Sequence, residues 1–297
     1  MIWQKRWFQF TILMILAFIW GSSFILMKIG LESFSSYQAA ALRILMASLV
    51  LLPIAIQQIR KLKFKDLKSL LVAGFIGSFF PAFMFMEAET QIDSSVAGIL
   101  NSLTPVFTLI IGLLFHRMVF RWLQVAGLSL GLAGATGLIL AGEGFQLGTV
   151  NSYALLIVLA TCFYAISINQ IKSNLPHLTG LQVTSFSFLF IGPVALIYLL
   201  TVDFAPAMAN PEWPTHLLAL AALGIVGSAL AMMLMNSLIR YSTPVAASSV
   251  TYIIPIFAIM WGLLYGEKVT LLHLGCMGLI LAGVYLINWK GKRVQKV

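Results

Sequence analysis

The sequence predicts an all-α integral membrane protein whose ten transmembrane helices form two inverted five-helix repeats around a central cavity. Three observations predict it. Sixty per cent of the 297 residues are hydrophobic and nine per cent charged, against about 25% charged in soluble domains, so no water-soluble fold could cover the apolar surface. The apolar residues form ten runs, each near the roughly 20 residues that a bilayer span needs. Finally, a motif recurs about 150 residues on: Ala97, Asn101, Pro105 and Gly112 are answered by Ala247, Thr251, Pro255 and Gly262.

The runs follow in order. The first, 9–29, begins after Lys5 and Arg6; it is too long for a secretory signal, lacks a small-residue cleavage site and is followed by nine more spans. The second, 37–58, carries Arg43 about six residues inside. The third, 68–88, starts after a basic stretch (Arg60, Lys61, Lys63, Lys65, Lys68) and ends near Glu87, Glu89 and Asp93. The fourth, 93–115, holds the first copy of the motif. The fifth, 121–141, has Gly127, Gly131 and Ala135 at helical spacing. The segment from Glu143 to Asn151 joins the halves, 1–145 and 146–297. The sixth to ninth runs are 151–171, 179–201, 216–238 and 243–265, the last with the second copy. The tenth, 271–289, carries Gly278 and Ala282. Small residues four apart let helices approach closely, which serves either packing of the two fifth-in-half helices inside one chain or a homodimer interface.

Charge sets the orientation. Cytoplasmic joints carry the excess of Lys and Arg, and a cytoplasmic N-terminus places 15 of the 18 basic residues there, including Arg117, Arg121, Lys172, Arg240, Lys290, Lys292, Arg293 and Lys296. Glu32, Glu87, Glu89, Asp93, Glu143, Asp203, Glu212 and Glu267 collect at the opposite ends. Both termini are therefore expected in the cytoplasm of a multi-pass inner (plasma) membrane protein. The net charge of +9 marks topology rather than a nucleic-acid partner. Five spans per half is odd, so the second half enters from the opposite side, and such inverted repeats place a site near the midplane. Cys162 and Cys276 lie within apolar runs and read as packing residues.

Several motifs resemble one family. Trp20-Gly21-Ser22-Ser23-Phe24 stands in the first span and Arg43 early in the second. The Ala-and-Pro pattern lies in the fourth and ninth, and Gly266-Glu267 is followed by Gly275 and Gly283. In this order, and duplicated over residues 10–290, they resemble the EamA family of the drug/metabolite transporter superfamily. The resemblance implies a ten-helix basket with spans one, three and four of each half lining the cavity and the fifth spans behind. It also implies export of small organic solutes such as amino acids. Such families often have a glutamate at both halves' Gly-Glu position; here the first half has His116-Arg117, so a symmetric role for the pair does not follow.

Candidate site residues are those that cost most in a bilayer. Arg43 is expensive unless paired or solvated. It reads either as a structural ion pair, with Glu87 at similar depth, or as a gate or a substrate-carboxylate contact. Glu89 and Asp93 read as solvated acids near an outer mouth. Pro105 and Pro255 bend their helices and free carbonyls a turn earlier, beside Asn101 and Thr251. Trp20, Tyr164 and Tyr252 lie mid-span, where a polar tip needs a partner or a wet cavity. Ser23, Ser167 and Asn236 add neutral polar groups, and Phe80 and Met84 an apolar wall.

No Gly-x-x-x-x-Gly-Lys-Ser/Thr loop is present to hold ATP phosphates, and the first span has no mid-membrane carboxylate. No metal set, catalytic constellation or cofactor motif is found. The expected activity is therefore a secondary transporter, an exporter of neutral or zwitterionic metabolites by alternating access, as a monomer or homodimer. The alternatives are a nucleotide-sugar or phosphorylated-metabolite antiporter and, in another class, a channel or intramembrane enzyme.

Overall fold

Each apolar run folds as a helix, because a backbone in hydrocarbon must satisfy its own polar groups. The computed structural model describes residues 2–116, 122–140 and 152–288. The Glu143-to-Asn151 joint and Arg117, Arg121, Lys290, Lys292, Arg293 and Lys296 lie outside them.

In chain order the helices are α1 (Arg6–Leu31), α2 (Ser36–Lys61), α3 (Phe64–Ala88) and α4 (Ser94–Phe115), then α5 (Trp122–Leu140). They continue with α6 (Ser152–Asn174), α7 (Gly180–Leu199), α8 (Trp213–Tyr241) and α9 (Pro244–Leu264), and end with α10 (Leu271–Asn288). Among the described residues there is no strand, and all of these except α5 and α10 are long and apolar enough to cross a membrane. This is a multi-pass membrane protein.

Four helices change their winding, at matching places. The helix breaks after Asn101 and resumes at Thr104 in α4, and α9 passes through a 3₁₀ turn at Ser249–Tyr252 before resuming at Ile254. Pro105 and Pro255 each follow the restart by one residue, where a missing N–H costs nothing because first-turn donors have no partner within the helix. In α3 the stretch Val72–Phe79 is π-helical, as is Leu223–Leu230 in α8. These two segments carry Gly74-x-x-Gly77-Ser78 and Gly224-x-x-Gly227-Ser228, again 150 residues apart (74 to 224).

Local signals repeat as well. A capping box opens α2 (Ser35 with Gln38) and α7 (Thr179 with Gln182), satisfying two first-turn donors each. The packing partners exchange between halves. Helix α1 packs on α9 and α8, as α6 packs on α4 and α3; α2 packs on α3 and α8, as α7 packs on α8 and α3. The pairs α2–α7, α4–α9 and α5–α10 are formed by helices at matching places in the two halves.

Glycines permit the closest approaches. A Cβ built on Gly224 would lie 2.6 Å from the Arg43 carbonyl oxygen, and one on Gly74 would lie 3.0 Å from that of Ser187. On α10, a Cβ at Gly283 would sit 2.4 Å from the Gly127 carbonyl oxygen of α5, and one at Gly134 would sit 2.7 Å from that of Cys276. The α5–α10 contact therefore runs through Gly127, Gly131, Gly134 and Gly283, while Gly278, singled out by spacing, has nothing within 4 Å of its Cβ position among the described residues.

Candidate functional site

A cavity lies among α1, α2, α3, α4, α6, α7, α8 and α9, with about 980 Å³ of empty space including its opening. Of the residues singled out from the sequence, Trp20, Ser23, Arg43, Asn101, Tyr164, Ser167, Asn236 and Thr251 line it. The α5–α10 pair does not, but α2 and α7 do, through Arg43, Ile44 and Phe188. Spans one, three and four of each half are thus joined at the wall by the second.

The π segments build the polar part. The Trp20 Nε1–H of α1 donates to the Gly227 carbonyl at 2.9 Å, so the mid-span indole is satisfied by backbone of the other half. Ser23 and Ser167 occupy matching positions, 144 residues apart (23 to 167), as do Trp20 and Tyr164. Each serine packs on the π-segment glycine of the other half: a Cβ on Gly227 would come 3.0 Å from Ser23 Oγ, and one on Gly77 would come 2.2 Å from Ser167 Oγ. Tyr164 stacks on Phe85, centroids 6.0 Å apart. Phe85 and Phe24 are likewise in ring contact, and both line the cavity.

Among the described residues, Arg43 is the one charged residue lining the cavity. Its Nε donates to Ser228 Oγ at 2.7 Å, and Nη1 lies 3.9 Å from Met27 Sδ. The structure does not bring Glu87 to it. Glu87 instead accepts a 2.5 Å hydrogen bond from Ser36 Oγ, at the start of α2. Ser36 and Arg43 are seven residues apart, about 10 Å along a helix at 1.5 Å per residue, so Glu87 sits two turns above the guanidinium. The positive charge is held by a hydroxyl and a thioether rather than by a carboxylate, leaving guanidinium N–H groups available to the cavity.

Three other candidates lie elsewhere. Phe80 is exposed on the outside, in a run of ring contacts with Phe75, Phe79 and Phe163. Met84 and Tyr252 are half-buried and pack on the core without lining the cavity. Pro105 and Pro255 set the breaks beside it: Ser102 Oγ donates to the Thr251 carbonyl at 2.7 Å, bonding the two broken helices together.

The sequence reading passed over Gly77, Ser78, Gly227 and Ser228. The repeated Gly-x-x-Gly-Ser was its legible signal. It also passed over Met27, Met232 and Met235, which line the cavity beside the aromatics; single methionines in apolar helices carry no distinguishing pattern.

Glu89 is not a solvated acid. It is 2% exposed, one residue past the end of α3, and accepts a 3.0 Å hydrogen bond from Ser94 Oγ. The Gly266-Glu267 pair also acquires a physical role. Gly266, at φ 90°, ends α9 in a left-handed turn with Gly266 N–H and Glu267 N–H bonded back to Leu263 and Gly262 carbonyls. That turn throws Glu267 onto the start of α4, where its two oxygens accept from Ser94 N–H (2.8 Å) and Ser95 N–H (3.0 Å). A carboxylate there satisfies orphan donors and complements the helix dipole.

Known proteins place this architecture. The chain is 30% identical over 285 residues to "Uncharacterized inner membrane transporter YedA" of Escherichia coli (strain K12), covering 94% of this chain and 90% of that one. It is 26% identical over 275 residues to "Probable terminal-alkyne amino-acid exporter" of Streptantibioticus cattleyicolor, covering 91% and 89%. To the S-adenosylmethionine/S-adenosylhomocysteine transporter of Chlamydia trachomatis serovar L2 it is 24% identical over 284 residues, covering 91% and 86%. A crystal structure with 15% sequence identity superposes with a TM-score of 0.68 over 96% of this chain and 97% of that one, a likeness of fold alone. The profile of one family matches twice, over residues 8–140 and 151–289, and these names point to transport rather than to an enzyme. A multi-pass helical chain with a cavity walled by both of its halves, matched by that profile along nearly its whole length, belongs to the EamA-like transporter family.

Proposed function

We propose that the protein is a secondary carrier which moves a small carboxylate-bearing, neutral or zwitterionic metabolite outwards by alternating access. The ten helices act as two inverted five-helix units with both termini in the cytoplasm. The observation that carries this reading is Arg43: a lone cation in the cavity wall, held at Nε by Ser228 and without a carboxylate partner within 4 Å among the described residues. An unpaired charge in a membrane is costly, and a substrate carboxylate is the natural bidentate partner for a guanidinium. The aromatic and methionine wall, with Trp20, Phe24, Phe85 and Tyr164, suits an apolar substituent. Farther along α8, Asn236 Oδ1 is buried with no hydrogen-bond partner among the described residues, its Nδ2 donating to Thr184 Oγ1 at 2.9 Å. It is a free acceptor for a substrate N–H or ammonium group.

The exchange of packing partners supports the rocking of one half against the other. A phosphorylated-sugar or nucleotide-sugar cargo fits less well, since one arginine is the whole cationic complement of the wall among the described residues. The test is a stability-shift screen of purified protein against amino acids and other small carboxylates, followed by counterflow in proteoliposomes with each hit. A bound ligand raises the melting temperature by mass action. Hits confined to compounds without a carboxylate would overturn the assignment of Arg43, and flux far above slow carrier turnover would point to a channel.

A further inference from the structure

On the face that carries Glu267 the two halves are tied by a cluster in which charges do not balance. Lys28 of α1 lies 3.6 Å from Asp93 and 3.8 Å from Glu267. Glu267, on the α9–α10 connection, is itself committed to the N–H groups of Ser94 and Ser95. Glu89 sits among these groups, with Lys28 from α1, Asp93 from the α3–α4 connection, Ser94 from α4 and Glu267 from the α9–α10 connection acting on it. Its Oε1 has no hydrogen-bond partner among the described residues. Three carboxyl groups thus share one ammonium that two of them already occupy. A negative charge on the buried Glu89 would meet desolvation and like-charge repulsion together.

We propose that Glu89 is a proton-binding site whose occupancy locks the two halves together on this face, so that opening the face releases the proton. This rests on the alternating-access reading given above. Burial pushes the Glu89 carboxyl well above the ordinary carboxylate range; Lys28 and the Ser94 hydrogen bond oppose that push, and Glu267 and Asp93 add to it. The closed face therefore holds the neutral acid. Once the halves part and water reaches Glu89, its proton affinity falls to that of a solvated carboxyl and the proton leaves. The sign follows from linkage. A group whose affinity for protons is higher in the closed state stabilises that state at low pH, and the stabilisation is lost as pH rises through the raised value. Within that window the open-to-closed ratio rises about tenfold per pH unit for one proton.

Substrate-free opening of the face can be read directly. Spin labels at Thr90→Cys and Lys268→Cys, both exposed, in a Cys162→Ala, Cys276→Ala background, report the separation of the halves in liposomes between pH 5 and 10. The expected result is a short distance at low pH that gives way to a longer one as pH rises, with Glu89→Gln held short throughout. His216, 3.3 Å from Glu32 just past the end of α1, is a second link between the halves on this face and is unchanged in Glu89→Gln. Infrared spectra of unlabelled protein should show a protonated-carboxyl band in the closed form that disappears over the same pH range as the labels separate. A pH-independent distance, a Glu89→Gln protein that opens like the parent, or a wild-type spectrum without that band overturns the proposal. If the variant does not fold, the wild-type band and its loss in step with opening decide. None of these readouts uses a substrate, so their failure would leave the carrier assignment standing, and failure to find a ligand would leave the proton site standing.

Discussion

Arg43 in the first half and Ser187 in the second hold matching places, 144 residues apart (43 to 187), and each offers its carbonyl to a glycine in the other half's π segment. The backbone arrangement is the same; the side chains are not. Ser187 Oγ donates to the Leu70 carbonyl at 3.2 Å and is consumed within the fold, whereas Arg43 brings a charge to the cavity. Lys28 and Lys172 also match. Lys28 reaches two carboxylates, while Lys172 donates to the Ile239 and Arg240 carbonyls near the end of α8, 3.0 Å each. Where Glu267 caps α4 from across the interface, the corresponding start of α9 is capped by its own Thr243, which accepts from Ala246 N–H at 3.2 Å. The halves share what close packing requires and differ where charge is placed: Lys28 meets two carboxylates, Lys172 two backbone carbonyls.

That contrast can be broken from either side. The largest expected effect is at Arg43. Arg43→Ala removes a charged hydrogen-bond donor worth about 1.5–3 kcal/mol to a bound ligand, so ligand affinity should fall at least tenfold in the stability-shift screen. Ser187→Ala at the matching place should leave affinity within about twofold; an equal loss would make the site symmetric after all. Next comes the α5–α10 contact. Gly283→Leu forces bulk against the Gly127 and Gly131 backbone and should destabilise the protein by about 1–3 kcal/mol. Gly278→Leu, with no described residue within 4 Å of its Cβ position, should melt close to the parent; a large loss there would instead indicate a packed partner surface. Smaller again is the cap at α4. Glu267→Gln removes a charged acceptor from two first-turn donors and should cost about 1–2 kcal/mol. Thr243→Ala, losing one neutral hydrogen bond, should cost about 0.5–1 kcal/mol at the other face. Thermal melts of the two variants order these effects, and a reversed order would contradict the asymmetry of the faces.

The pairing of His and acid sharpens the same comparison. Asp66 of α3 meets His177 at 3.0 Å, and His216 of α8 meets Ser33 Oγ at 2.6 Å and Glu32 at 3.3 Å. Asp66 and His216 match in position (66 to 216), as do Ser33 and His177 (33 to 177), so the contact is conserved in place while its chemistry is exchanged. Because the matching residues differ in type, a search for repeated letters passes over them.

Much of the fold was legible in the residues alone. Hydropathy set the apolar runs, whose limits differ from the helices by a few residues, and proline placed the breaks in α4 and α9, because apolar length and a missing N–H act locally. Trp20, Arg43, Asn101, Tyr164 and Thr251 could be singled out because polar groups are costly in a membrane wherever they point. The tertiary structure decided which of them meet. Glu87 bonds Ser36, two turns from Arg43, and the two do not meet; Phe80 faces outwards, and Glu89 is buried by segments from α1, α4 and the α9–α10 connection. It also decided that Gly-x-x-Gly-Ser becomes a π segment on which both halves close, and that Gly266 aims Glu267 at α4. Helix formation and its interruptions depend on neighbours in sequence. The direction of a side chain, its burial and its charge partner depend on helices that arrive from the other half, and no local rule contains them.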